Sequence, residues 1–327
     1  MIAMSTTKMT IPTPLHPGDK VALIAPCAPV LPERLAFAAE FIAGLGYQPE
    51  IFPSCHARLG FLAGDDELRA GDVNHAFADP SVRAIVVARG GYGGARLAEW
   101  LDYDTVKANP KIFTGFSDAT ALHILMQQRC GLATFHAPMP AAANFREDEF
   151  THRALADVLC GNWYGVYDNS RAGRNAGVPL ECVSEGRGEG LLVGGNLTII
   201  ASTAGTPYQL DCRDRILFLE DVGEYAYAID RSILHMKHSG ILEGCRGIIL
   251  GTWMDCQAPS DMPISLTLRN ALASLGIPVI SGFQCGHSVP SAFLPLGQRA
   301  EVVSTPEECI LRIEKQNEET TCAQLRR

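Results

Sequence analysis

The sequence lacks a basic excess, a paired-cysteine pattern and any long apolar run, and each absence removes a class of protein. Its 327 residues carry 27 Lys and Arg against 36 Asp and Glu, a net charge of −9. Nucleic-acid binding needs a basic face that displaces counterions from phosphates, so that class is excluded. A single local arginine can still hold an acidic small ligand. The 11 cysteines are odd in number and nowhere spaced C-x-x-C. That supports neither a disulfide framework nor a zinc knuckle, and it fits a reducing compartment. No apolar stretch approaches the roughly 18 residues of a membrane span. Residues 1–17 are polar and proline-dotted, without an apolar segment of signal-peptide length. The expectation is a soluble, cytoplasmic protein with no nucleic-acid or membrane partner.

What is present is an ordinary globular composition, 47% hydrophobic and 19% charged, at a length that suits about two domains. Residues 21–25, 48–52, 84–88, 111–116 and 134–136 read as strands. They alternate with helical patterns at 32–44, 65–77, 95–101 and 119–128, which implies a parallel sheet covered on both faces. Between about 167 and 187 the pattern lapses into Asn, Ser, Arg and Gly. A second α/β segment follows, with strands at 191–197, 216–219, 247–250, 278–280 and 299–303 and helices at 228–237 and 266–275. The expected organisation is an N-terminal domain over 17–165, a linker over 166–187, a C-terminal domain over 188–313 and a polar tail over 314–327.

Ligand sites in parallel sheets gather at the carboxyl ends of strands, and the unusual sequences fall there. In Gly115-Phe-Ser-Asp-Ala119 a strand meets a helix. A serine on such a turn projects its hydroxyl outward while the next amide points at the same spot, although Ser and Asp at a helix start also suit capping. Arg89-Gly-Gly-Tyr-Gly-Gly94 brings backbone amides close to whatever lies beside it. It fails the dinucleotide fingerprint, because Arg96 stands where the third glycine belongs, and it lacks the Gly-Lys-Ser/Thr of a P-loop. Glu220 and Asp221 end an apolar strand, and His287 lies in an irregular loop after another. His235 and His238 lie one turn apart on a helix without an H-E-x-x-H pattern, so no metal site is expected. The order Ser117, Glu220, His287 matches nucleophile, carboxylate and base in hydrolases on α/β scaffolds. Histidine can take the serine proton near neutral pH, and the carboxylate fixes the imidazole tautomer.

These motifs, together with Gly18-Asp19, Phe135-His-Ala-Pro-Met139, Gly194-Gly-Asn-Leu197, Leu219-Glu-Asp-Val-Gly-Glu224 and Gly286-His287, resemble the LD-carboxypeptidase family of serine peptidases. The resemblance runs from about residue 17 to 303. It implies a Rossmann-like N-terminal domain akin to class I glutamine amidotransferases and a smaller swivelling-barrel-type C-terminal domain. It also implies Ser117 as nucleophile, His287 as general base, Glu220 as orienting carboxylate, and the amides of Gly91 and Asp118 as oxyanion hole. The implied reaction removes terminal D-alanine from muropeptide tetrapeptides in cell-wall recycling, by a homodimer, without metal or organic cofactor. Arg89, Tyr92 and Asn196 are candidate substrate contacts. Arg89, Arg96 and Arg231 are candidate partners for the substrate carboxylate, a group that an arginine fork accepts at both oxygens.

Three other readings stand beside this one. Relatives that cleave microcin C-type peptide-nucleotides share the triad but need an aromatic surface for the base, for which Trp163 and Tyr164 are candidates. A non-catalytic α/β protein could use the glycine turns to hold a small anion. A cysteine hydrolase would use Cys285 beside His287.

Overall fold

The computed structural model describes residues 9–143, 145–168 and 175–315. The first half runs β1 (Lys20–Ile24), α1 (Pro32–Gly44), β2 (Gln48–Ile51), α2 (Asp66–Ala78), β3 (Val82–Val87), α3 (Tyr103–Ala108), β4 (Ile112–Gly115), α4 (Thr120–Leu125), β5 (Thr134–His136) and α5 (Glu149–Cys160). Strands β2, β1, β3, β4 and β5 lie side by side in parallel. Alternate residues of β1 leave the pleat on opposite faces. Val21 and Leu23 pack under α1 and α5, while Ala22 and Ile24 pack under α2 and α4. Burial on both faces explains why these strands read as unbroken apolar runs.

The second half runs β6 (Gly165–Tyr167), β7 (Glu181–Ser184), β8 (Gly186–Asn196), α6 (Leu197–Ser202), β9 (Arg215–Val222), α7 (Ala226–His238), β10 (Gly247–Met254), α8 (Ile264–Leu272), β11 (Val279–Ser281), β12 (Leu294–Leu296), β13 (Arg299–Ser304) and β14 (Cys309–Ile313). Eight of its strands form a sheet in the order β6-β14-β13-β8-β9-β10-β11-β7. Strands β8 to β11 are parallel and the outer pairs antiparallel. Val193, Leu217 and Ile248 face the helices, and Leu192, Phe218 and Ile249 face the strands that fold back beneath.

Three expectations need correction. The segment expected to link domains over 166–187 contains most of β6, all of β7 and the start of β8, all hydrogen-bonded into the second sheet. These stretches are too short to show a period, although Tyr167 of β6 joins the core and Cys182 and Val183 of β7 pack against it. Residues 169–174 of that segment, and 316–327 of the expected tail, lie outside the described residues. The division between halves is also not clean, because β12 pairs antiparallel with β5 and completes the first sheet from the far end of the chain. The helix expected over 119–128 is α4 followed by a π-helical turn over Met126–Cys130.

Candidate active site

β4 ends at Gly115, and two residues later Ser117 adopts φ +62°, in the left-handed region that non-glycine residues rarely enter. Such strain is maintained where surrounding structure over-determines it, and here it lifts Oγ out of the sheet end. Glu220 stands near the carboxyl end of β9, opposite Asn196 of β8, and is fully buried. His287 enters from the loop after β11. Gly286 must be glycine there, since it holds φ +133° and a β-carbon on it would lie 2.6 Å from Glu220 Oε2.

The three side chains form one hydrogen-bonded chain. His287 Nε2 lies 2.9 Å from Ser117 Oγ, and Nδ1 lies 2.7 Å from Glu220 Oε2. An ionised carboxylate only accepts, so Nδ1 carries the proton it donates to Glu220, and Nε2 accepts from the serine hydroxyl. Phe116 packs its ring at 4.8 Å from the imidazole and holds its plane. Burial pushes the Glu220 carboxyl above its ordinary range; the His287 hydrogen bond works against this, and neighbouring Asp221 adds to it. Asp221, the next residue along the strand, points elsewhere. It accepts from Asn196 Nδ2 at 2.8 Å, Thr198 N at 3.0 Å and Thr198 Oγ1 at 2.8 Å, which ties it to the start of α6.

The remaining candidates fall into different surroundings. Gly91 lies in the glycine turn after β3 at φ +117°, and that turn packs on the serine, since a β-carbon on Gly90 would lie 3.0 Å from Ser117 Cβ. Asp118 follows the serine with its carboxylate buried. Tyr92 is exposed beside Phe61, ring centroids 5.5 Å apart. Arg89 donates to Pro29 O at 2.7 Å. Asn196 is buried and engaged, its Nδ2 on Asp221 and its Oδ1 capping α6 at Ile199 N. Arg96 is paired with Asp66 through Nε at 2.9 Å and Nη2 at 2.7 Å, and the Arg231 guanidinium lies over Tyr227 at 5.7 Å.

The expected aromatic platform is not formed by Trp163, which is buried against Phe135 and donates Nε1 to Val158 O at 2.7 Å. Cys285 is also buried, with Sγ on Ala292 O at 3.3 Å, and burial pushes its thiol well up, away from the thiolate a nucleophile needs. His235 and His238 are both exposed, and among the described residues no group of three His, Cys, Asp or Glu side chains could hold a metal ion. Among the same residues, no helix is long and apolar enough to cross a membrane.

Two buried histidines beneath the serine turn have no role in the readings drawn from the sequence. His123 of α4 reaches Gly115 O with Nε2 at 2.9 Å, and His136 packs between Phe116 and Phe218. Burial holds His123 down to about 4 and His136 well below the usual range. His136 stands inside the Phe-His-Ala-Pro-Met segment, the one signal that could have drawn attention to it.

The carboxypeptidase class follows from comparison with known families. The LD-carboxypeptidase N-terminal domain matches residues 21–137 and the LD-carboxypeptidase C-terminal domain matches residues 189–302. The chain belongs to the LD-carboxypeptidase family. It is 34% identical over 304 residues to a probable murein peptide carboxypeptidase of Bacillus subtilis, covering 92% of this chain and 93% of that protein. Its fold matches a muramoyltetrapeptide carboxypeptidase from Oxalobacter formigenes at TM-score 0.78 and 28% identity, over 90% of this chain and 99% of that one. It also matches the microcin C7 self immunity protein MccF, in complex with aspartyl sulfamoyl adenosine, at TM-score 0.82 and 25% identity, over 94% and 99%.

Proposed function

We propose that this protein is a serine carboxypeptidase that removes terminal D-alanine from a muropeptide tetrapeptide, cutting the bond between an L-centre and the D-residue. The observation that carries the reading is the hydrogen-bonded chain from Ser117 Oγ through His287 to Glu220. In this mechanism Ser117 Oγ attacks the scissile carbonyl carbon while His287 Nε2 takes the hydroxyl proton. The amides of Gly91 and Asp118 receive the oxyanion. The C–N bond then breaks, His287 returns the proton to the leaving amine, and D-alanine departs. Water, deprotonated by the same imidazole, hydrolyses the acyl-enzyme. Glu220 stabilises the imidazolium at each stage.

An exopeptidase recognises a free carboxylate, and Arg89 is our choice for it. Arg96 is neutralised by Asp66 and Arg231 covers Tyr227. Arg89 borders the glycine turn and, among the described residues, pairs with no acid. A homodimer and a cytoplasmic location belong to the same proposal, tested by sedimentation and cell fractionation. The likeness to MccF supports a second substrate class, peptide-nucleotides, on the same three residues.

The test incubates the protein and its Ser117→Ala variant with a monomeric tetrapeptide muropeptide and follows product mass. Loss of one alanine with the native protein only is the expected result. Activity retained by Ser117→Ala rejects the nucleophile. No cleavage by folded native protein, with cleavage of an aminoacyl-nucleotide analogue, moves the substrate to the second class.

A further inference from the structure

The glycine turn after β3 is held at three points, and one of them is the side chain of the residue that follows the serine. At its entry, Gly90 O accepts from Ala28 N at 3.2 Å. Gly91 lies so close to the same alanine that a β-carbon on it would come within 2.4 Å of Ala28 Cβ. Further on, Gly93 O accepts from Arg69 Nη1 at 3.0 Å, and the same guanidinium donates to Pro26 O at the end of β1. Arg69 is fully buried and ion-paired with Asp66. At the exit, Gly94 N donates to Asp118 Oδ2 at 2.6 Å. Gly94 sits flush on this carboxylate and its own main chain, 2.9 Å from Asp118 O for a β-carbon placed there. Burial makes Asp118 costly to keep, and a buried acceptor is retained where its bond does something.

Resting on the mechanism above, we infer that the Asp118 carboxylate is a positioning residue for the oxyanion hole, locking the segment that carries the Gly91 amide onto the segment that carries Ser117 and the Asp118 amide. One residue then supplies one oxyanion donor through its main chain and fixes the other through its side chain. Arg69 is the second anchor of the same turn, on the side away from the serine. The bond requires an acceptor at Oδ2 and no charge, so an asparagine that presents its amide oxygen to Gly94 N preserves it.

The test compares Asp118→Ala and Asp118→Asn with the native enzyme in two assays. One is steady-state D-alanine release. The other is the rate of labelling by a fluorophosphonate, in which Ser117 Oγ displaces fluoride from phosphorus and His287 takes the hydroxyl proton. Loss of an oxyanion donor costs about 10²–10³ in kcat. Asp118→Ala is therefore expected to lower kcat and the labelling rate about 100-fold with KM little changed. Asp118→Asn is expected to stay within about fivefold of native in both, because a neutral acceptor replaces a charged one. A native-like Asp118→Ala, an Asp118→Asn as impaired as the alanine variant, or a loss confined to KM each overturns the inference. Should Asp118→Ala not fold, Asp118→Ser takes its place, with a hydroxyl that suits the buried position but ends short of Gly94 N. Labelling needs no peptide, so a native enzyme that labels rapidly yet leaves the tetrapeptide intact refutes the substrate reading and still decides the clamp.

Discussion

Replacing Glu220 by glutamine removes a charge from the site while leaving its shape. Oε2 accepts from His287 Nδ1 at 2.7 Å, and Oε1 has no hydrogen-bond partner among the described residues. A glutamine can therefore turn its NH2 group to the Oε1 side and keep its oxygen on Nδ1–H, so the imidazole tautomer survives and only the charge is lost. With charge centres roughly 4 Å apart and an effective dielectric of about 20, the attraction between carboxylate and imidazolium is on the order of 4 kcal/mol. At about 1.36 kcal/mol per decade, kcat should fall on the order of 10³-fold. Turning the amide the other way would switch the tautomer, and the loss would approach about 10⁴. Because Glu220 is fully buried, it does not touch substrate, so KM should move by no more than about twofold. The assay is D-alanine release from a tetrapeptide, with native and variant protein matched for folding by circular dichroism. A Glu220→Gln enzyme within about tenfold of native kcat would refute imidazolium stabilisation as the role of this carboxylate.

Three further outcomes follow from the structure. Arg89→Met should raise KM about 10- to 100-fold for a peptide with a free terminal carboxylate, the worth of a charge-assisted hydrogen bond, and leave the corresponding peptide amide unaffected; equal losses for both would count against Arg89 as the anchor. His123, held down to about 4 by burial, has a folded pKa below its unfolded value, so its contribution to stability is complete above about pH 6.5 and is lost as pH falls towards 4. Linkage puts that loss at about 2 kcal/mol by pH 5, and urea unfolding at pH 7 and pH 5 should show His123→Gln losing less than native by that amount; parallel losses would refute it. Gly194→Ala should cost more than about 3 kcal/mol, because Gly194 holds φ +126° and a β-carbon would lie 2.0 Å from Phe218 O; an unchanged urea midpoint would disprove the packing argument.

What could be read in advance follows from where chemistry and pattern coincide. The central strands β1 and β3 announce themselves because both of their faces are buried, which leaves an apolar run that no polar surface interrupts. The edge strands β6 and β7 do not, because at three and four residues they are too short to show a period, whereas β14 alternates, with Cys309, Leu311 and Ile313 in the core. β12 is hidden for a different reason: its partner is β5, more than 150 residues earlier, and no local pattern encodes so distant a pairing. The same distinction divides the site. Ser117, Glu220 and His287 stand out because each interrupts a strand end with a group capable of proton transfer.

Glu220 and Asp221 show where pattern alone stops short. Both are buried acids at one strand end, and nothing in their order says which of them meets the histidine. The pleat decides, since successive side chains leave a strand on opposite faces. One acid then faces His287 across the sheet end, and the other faces the first turn of α6, where Thr198 N and Asn196 Nδ2 hold it. Asn196 illustrates the consequence. Its place in a Gly-Gly-Asn turn suggests a hand for substrate, yet its amide secures Asp221 and its oxygen caps α6. The neighbouring main chain is bound too, with Asn196 N on Thr120 Oγ1 at 3.0 Å, and Thr120 opens the helix that follows the serine. That bond joins the sheet end bearing Glu220 to the helix behind Ser117, so the placement of the two side chains relative to each other rests on a main-chain contact between the halves as well as on His287.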